Sequence, residues 1–294
     1  MGQVGVICPV SSERVSNADC RACSRSREPL FESWCNYSPE MIYGMTDGGT
    51  SRSTAFHSTT MLNGCMRQTR LGMSEDYHVE LDRVFPAFRG QWGHLVTEHS
   101  PVPGTIYEIR FELDFQLADG RIIKFTGQGD ALDLVRANYR DYKTKSESRF
   151  DRRANKRVYK ALPTEVGDDY LFQLNAYRLL FYYGSPQRVV DQDAFGDPLP
   201  GGVTYYPGVP AQIELESHEL FAWSMSECKR YPCAQIDYRA MYDEILRRLE
   251  IICAVELPPV PGDLNPATSV FCIDWCPKEI RAACLEELAT AIPF

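Results

Sequence analysis

Residues 126–145, TGQGDALDLVRANYRDYKTK, limit what this chain can be more than any other stretch. They read as two short strands joined by a polar turn at Arg136–Asn138, with Asp130 on the first strand and Asp141 and Lys143 on the second. Side chains two apart on a strand share a face, so Asp141 and Lys143 point the same way and Tyr142 the other. Folding the hairpin is expected to bring Asp130 back beside Lys143, which gathers two carboxylates and an ammonium on one patch. A divalent cation with oxygen ligands offsets such carboxylate repulsion. The lysine can then hold a water or stabilise charge developing on a phosphate, as phosphodiester hydrolysis requires. The alternative is a solvated surface hairpin, because a D-x10-D-x-K string also recurs by accident.

At 294 residues the chain can bury a sizeable core, and the expected division is a cysteine-rich segment over 1–40 and one large domain over 41–294. No apolar run reaches the roughly eighteen residues of a membrane span. The N-terminus lacks the basic flank and apolar core of a secretory signal, so a cytoplasmic location is expected. The net charge of −9 excludes a generally basic protein, but Lys143–Lys160 carries eight basic and two acidic side chains, a local +6. Lys145, Arg149, Arg152, Arg153, Lys156 and Arg157 are candidates for tracking a DNA backbone, and a solvated helix face is the alternative.

Eleven cysteines are many for a reducing compartment, where clustered thiols point to metal or iron–sulfur ligation. Cys20 and Cys23 form a C-x-x-C knuckle, and Cys8 and Cys35 each stand eleven residues beyond it. That spacing suits a four-thiolate structural zinc, with free thiols or another cluster as alternatives. Near the C-terminus Cys272, Cys276 and Cys284 supply three thiolates, one short of a closed site.

Residues 58–73 are expected to form a helix with Met61, Leu62 and Cys65 inward. His94 and Glu98 lie one turn apart on a short helix, where a buried, hydrogen-bonded histidine is the default and a metal contact the alternative. Period-two text from Ile106 predicts a strand, a turn at Ala118–Gly120 and the strand carrying Asp130. Glu108, Glu112 and Asp114 share a face of the first strand, and any of them could approach the metal patch. The stretch DDYLFQLNAYRLLFYYG predicts a buried helix on which Gln173 and Tyr177 are anomalous polar tips one turn apart. Strands are expected near Val203–Tyr206 and Gln212–Leu215. An amphipathic helix follows, with Met241, Ile245, Leu249 and Ile252 inward.

Taken in order, TTMLNGCMR, GQWGH, GQGD, DYK, QLNAY and the terminal cysteines resemble the PD-(D/E)xK nuclease superfamily, and within it the RecB-like exonucleases with a four-cysteine iron–sulfur cluster, including the nuclease of CRISPR adaptation. The resemblance covers roughly Ser58 to Cys284. It implies an α/β fold with a central mixed sheet flanked by helices. It makes His94, Asp130 and Asp141 metal contacts, with Glu108 as a further metal candidate from the residues themselves. Lys143 becomes the water-orienting or charge-stabilising group, and Gln173 and Tyr177 line the site. Cys65 becomes the fourth ligand to Cys272, Cys276 and Cys284 of a [4Fe-4S] cluster.

Two features depart from the family pattern: the terminal C-x3-C-x7-C is looser than the common C-x2-C-x5-C, and the N-terminal cysteine segment has no counterpart. The expected function is a Mg²⁺- or Mn²⁺-dependent DNA exonuclease acting on single strands or duplex ends in recombination, repair or replication. A protein partner docked through the N-terminal segment is a further expectation. The alternatives are a catalytically silent DNA-binding or assembly module and an endonuclease of the same superfamily.

Overall fold

The computed structural model describes residues 3–26, 35, 37–38, 41–42, 45–46, 56–57, 65–74, 76–81, 102–144, 148–151, 156–159, 162–186, 189–192, 198–204, 209–210, 212–224, 227–254, 256, 258 and 276–291. Along the chain the strands are β1 (Gln3–Ile7), β2 (Arg14–Ser16), β3 (Phe56–His57), β4 (Tyr77–Glu80), β5 (Thr105–Gln116), β6 (Ile122–Asp133), β7 (Asn138–Thr144), β8 (Ser148–Asp151), β9 (Lys156–Tyr159), β10 (Ser185–Pro186), β11 (Val189–Gln192), β12 (Pro198–Thr204), β13 (Ser217–Trp223) and β14 (Cys228–Pro232). The helices are α1 (Asn17–Arg25), α2 (Met66–Ser74), α3 (Asp168–Tyr183), α4 (Tyr238–Cys253) and α5 (Lys278–Ala291). The chain divides into two compact units: Met1–Ser53, Asn63–Trp92 and Ile251–Phe294 make the first, and Thr54–Leu62 with Gly93–Glu250 the second. Among the described residues no helix is long and apolar enough to cross a membrane.

In the second unit a seven-stranded mixed sheet runs β10-β5-β6-β7-β13-β14, with β3 also paired to β6. The neighbours are antiparallel except β7 with β13 and β3 with β6, which are parallel. The long β5–β6 hairpin and the turn at 118–120 form as the alternation predicts. Phe111, Phe115 and Phe125 are fully buried in this sheet.

Helix α3 packs on β5, β6 and β13. Its first turn carries Asp168 and Asp169, which complement the positive helix end, and every residue from Phe172 to Phe181 is buried. Two glycines of β6 let it sit so close. A Cβ on Gly127 would lie 2.5 Å from the Tyr177 ring, and one on Gly129 would lie 2.8 Å from Phe181. On α4 the inward set Met241, Ile245, Leu249 and Ile252 is buried as the sequence indicates.

One expected strand is absent, and two other stretches are described only in part. The segment Gln212–Leu215 is not a strand: Ile213 N–H donates to the Phe181 carbonyl, and the paired strand is β13. For the basic stretch after Lys143, the alternative of a solvated helix face does not hold where the residues are described. The stretch forms the β8–β9 hairpin, in register Phe150↔Arg157 and Asp151↔Lys156. The described part of the helix expected over 58–73 is α2, which begins after Cys65, while Met61 and Leu62 lie outside the described residues.

In the first unit β1 lies between β2 and β4, antiparallel to the former and parallel to the latter. Helix α1 packs on β1 and β2, and α5 on β4 and α2. The Ser16 hydroxyl caps α1 by accepting from Asp19 N–H at 3.0 Å. Lys278 pairs with Glu80 at 2.7 Å and Arg14 with Glu279 at 3.1 Å, which ties α5 to the strands.

Candidate functional site

The site starts from a fork between β6 and β7. Their ladder ends at Ala131↔Arg140. The next inward donor, Tyr142 N–H, goes instead to the side chain of Asp130, at 2.7 Å from Oδ2. The β5–β6 ladder also breaks beside Asp130: its register skips Glu108, which sits between Tyr107↔Ala131 and Ile109↔Gly129 at φ 51°. A non-glycine residue in the left-handed region is uncommon, and two ladder breaks around one aspartate mark a place where sheet regularity yields to the placement of that side chain.

Asp141 stands across the fork and is 1% exposed. Tyr139, two residues earlier on the same face, donates its hydroxyl to Asp141 Oδ1 at 3.2 Å. Lys143, two residues later, places Nζ 2.6 Å from Asp141 Oδ2, and its side chain keeps 24% of its surface exposed. Lys143 is therefore the residue of the group whose side chain keeps the most exposed surface. Lys143 pairs with Asp141, and the charge of nearby Asp130 acts on it as well.

Electrostatics follow from burial. Desolvation pushes the Asp141 carboxyl up to about 6, with nearby Asp130 adding to the rise and Lys143 opposing it. Burial works against the Lys143 charge, but Asp141 and Asp130 outweigh it and hold the ammonium above the usual lysine range. Burial likewise keeps the Tyr139 phenol far above its ordinary value, so it remains a donor.

Helix α3 closes the site from above this face. The Tyr139 ring meets those of Tyr177 and Phe181 edge to face, with centroids 5.3 and 5.2 Å away. Gln173 Nε2 donates to Tyr177 Oη at 3.1 Å, and both residues are almost fully buried. The pair of polar tips that stood out in the sequence thus forms one hydrogen-bonded unit on the helix face that carries Tyr177 to Tyr139.

The structure therefore brings together Asp130, Asp141, Lys143 and Tyr177, with Gln173 behind Tyr177. Glu108, at the break in the ladder beside Asp130, accepts from Gln128 Nε2 at 2.7 Å. Glu112 and Asp114 share Lys124, at 2.8 and 3.2 Å. His94, Lys145, Arg152 and Arg153 lie outside the described residues, as does Cys272. Arg149, Lys156 and Arg157 fall on the β8–β9 hairpin.

Two residues escaped the sequence reading. Tyr139 was legible in principle, since Y-x-D-x-K places it on the face of Asp141 and Lys143. His218, beside Tyr139 in the parallel β7–β13 register, is 1% exposed. Burial and the charge of Arg178 hold its imidazole down to about 4, so it is neutral.

Four of the described thiols pack into two buried clusters. Cys65 sits just before α2, where its sulfur accepts from Gln68 N–H at 3.4 Å. Cys276 and Cys284 pack with Leu71 of α2 and Ile280 of α5 in one buried cluster. Cys20 and Cys35 pack against a second cluster made by Val6, Ile42, Met45 and Leu81.

Among the described residues no group of three or more His, Cys, Asp or Glu side chains is arranged to hold a metal ion. Asp130 and Asp141 are two such donors at one fork. Their oxygen chemistry is of the kind that suits Mg²⁺ or Mn²⁺.

No family model matches the chain, and no curated protein matches it significantly. Among solved structures, the crystal structure of SSO0001 is similar at a TM-score of 0.44 and 14% identity, over 72% of this chain and 82% of that one.

Proposed function

We propose that this chain is a metal-dependent DNA exonuclease of the PD-(D/E)xK superfamily, close in type to the RecB-like enzymes with an iron–sulfur cluster. One observation carries the reading: a carboxylate only 1% exposed is held by a lysine at 2.6 Å, at a fork in the sheet that also holds Asp130. Burying Asp141 is costly, and a folded chain accepts that cost most readily where the group has work to do.

In this reading Asp130 and Asp141 hold Mg²⁺ or Mn²⁺, with His94 and Glu108 as further candidates. The cation, when bound, activates water and neutralises charge on the phosphate. Lys143 keeps its proton and presents a fixed positive charge beside Asp141, where a phosphate oxygen would gain negative charge. Asp141 is steered by Tyr139 on one oxygen and Lys143 on the other. Tyr177, fixed by Gln173, forms the wall opposite. Basic residues of 145–157 guide the strand, and Cys65, Cys272, Cys276 and Cys284 bind the iron–sulfur cluster.

Lys143→Ala tests this directly. End-labelled single- and double-stranded DNA is incubated with Mg²⁺ or Mn²⁺ beside a circular single strand, which an end-dependent enzyme leaves uncut. Loss of that charge is expected to slow cleavage by about 10²-fold or more, the scale for removing one preorganised electrostatic group. Undiminished Mn²⁺-dependent cleavage by the variant would remove the mechanism.

A further inference from the structure

Helix α3 is buried along its whole middle, from Phe172 to Phe181. A helix covered on every side takes no orientation from its apolar pattern, because burial is non-directional and any face can meet the sheet. The rotation of α3 about its own axis decides where Tyr177 sits, so it has to be set by contacts that have direction.

Asn175, only 2% exposed, supplies such contacts. Its Nδ2 donates to the Leu171 carbonyl one turn back at 2.9 Å, which pins the amide to the backbone of its own helix. The same nitrogen donates to the Ala234 carbonyl at 3.0 Å, and Oδ1 accepts from Ile236 N–H at 2.8 Å. Two carbonyls need the NH₂ and one N–H needs the oxygen, so the amide fits in one sense only. A carbonyl and the N–H two residues further on are the groups that one residue of a neighbouring parallel strand would engage. The Asn175 side chain thus stands in for a strand beside residues 234–236, which continue from β14 where Cys233 N–H donates to the His218 carbonyl at 3.1 Å. Arg178, three residues along the helix, donates from Nη1 to the Ile236 carbonyl at 2.8 Å, and its guanidinium lies 3.8 Å from the centre of the Tyr238 ring. Near the end of α3, Ile213 N–H reaches the Phe181 carbonyl at 2.9 Å, but a backbone atom close to the helix axis has little leverage against rotation.

We infer that Asn175 is a positioning residue of the site: its clamp on residues 234–236 sets the rotation of α3 and so keeps Tyr177 against Tyr139, the phenol that holds Asp141. The inference rests on the nuclease reading for its effect on cleavage, and on the hydrogen bonds alone for the clamp.

The leverage is large. Side-chain tips lie about 5–6 Å from a helix axis, so a turn of about 10° carries the Tyr177 ring by about 1 Å. A misplacement of that size costs about 10²-fold in rate. The Tyr177 and Tyr139 rings meet at 5.3 Å and Tyr139 donates to Asp141, so the displacement reaches the carboxylate through two contacts.

The test compares Asn175→Leu, close in size but without either polar group, with Leu179→Ala, which removes apolar packing from the same buried helix. In the full-length protein, hydrogen exchange at Ile236 N–H reads the clamp. Values of kcat and KM on end-labelled single-stranded DNA with Mn²⁺, at a temperature where each variant is folded, read the site. Asn175→Leu is expected to speed exchange at Ile236 by about 10-fold or more and to lower kcat by about 10- to 100-fold with KM little changed. Leu179→Ala should lower Tm and keep kcat, which a merely structural role for Asn175 would also do. Wild-type kcat in Asn175→Leu, or an equal loss in Leu179→Ala, overturns the positioning role, and unchanged exchange at Ile236 overturns the clamp. If Asn175→Leu fails to fold, Asn175→Asp decides, since it keeps the acceptor for Ile236 N–H and loses the donor to Ala234. An intermediate kcat is expected there, and a wild-type kcat overturns the inference. Wild-type protein that cleaves no DNA would instead sink the nuclease reading and the effect on cleavage with it, while exchange at Ile236 still decides the clamp.

Discussion

At the residue scale, the burial of Asp141 has a consequence that pH exposes. A carboxyl lifted to about 6 is protonated below that pH, and a protonated acid is a poor ligand for a divalent cation. Cleavage is therefore expected to fall as pH drops through about 6, a limb well above the ordinary aspartate range. Tyr139 sets the position of that limb. Its hydroxyl donates to Asp141 Oδ1 at 3.2 Å, which favours the charged form, so Tyr139→Phe leaves the acid higher still. A hydrogen bond to a charged group contributes about 1.5–3 kcal/mol, and one pH unit corresponds to about 1.4 kcal/mol. The acid limb of kcat/KM should thus move up by about one unit in Tyr139→Phe, with the alkaline side unchanged. A limb that stays in place would show that Tyr139 only fills space. The Asp141–Lys143 pair was legible from period two alone. The contribution of Tyr139 was not, because nothing in the text of a strand shows which face a helix covers.

At the element scale, the GQGD stretch shows why some motif residues stay opaque in sequence. Gly127 and Gly129 do not turn the chain; they sit within β6, where glycine ordinarily weakens a strand. Their use is close approach, because α3 lies on them and so delivers Tyr177 to Tyr139. In Gly127→Ala the new methyl would meet Tyr177 at 2.5 Å and Leu180 at 2.6 Å, so the helix or the ring must move. Overpacking of this kind costs about 1–3 kcal/mol, or several degrees in Tm. Gly167→Ala, in open space at the start of the same helix, is the control and should change Tm much less. Equal Tm losses for the two variants would refute the close-approach argument.

Helix α3 itself was plain in the sequence, since its length, acidic start and terminal glycine all agree. Strand β13 was not. Near its start His218 and Glu219 are polar yet buried, the second held by an ion pair with Arg230, and polar letters read as a loop until a partner is known.

At the scale of the whole molecule, the chain begins the first unit, leaves it briefly at Thr54–Leu62, and leaves it again for Gly93–Glu250 before it returns to finish it. Such a unit must close a long excursion, which costs entropy that its own contacts have to offset. Around α2 and α5 those contacts are modest: Leu71 and Ile280 are joined in the buried cluster by two thiols, Cys276 and Cys284. Cys65 lies in the same unit, at the start of α2. In the proposed reading these thiols hold a metal cluster that staples the returning chain to the departing one, a role in folding rather than in electron transfer. The thiol count was legible in the sequence, but this placement was not, because pairing residues two hundred positions apart requires the topology.

Cys284→Ala should therefore bleach a brown protein, removing iron and acid-labile sulfide together and lowering the unfolding temperature. Cys253→Ala is the matched control, equally buried but outside that cluster, and should keep its iron. Iron retained in Cys284→Ala, or lost equally in Cys253→Ala, would separate these thiols from any cluster and leave Cys276 and Cys284 as small apolar side chains of the α2–α5 contact.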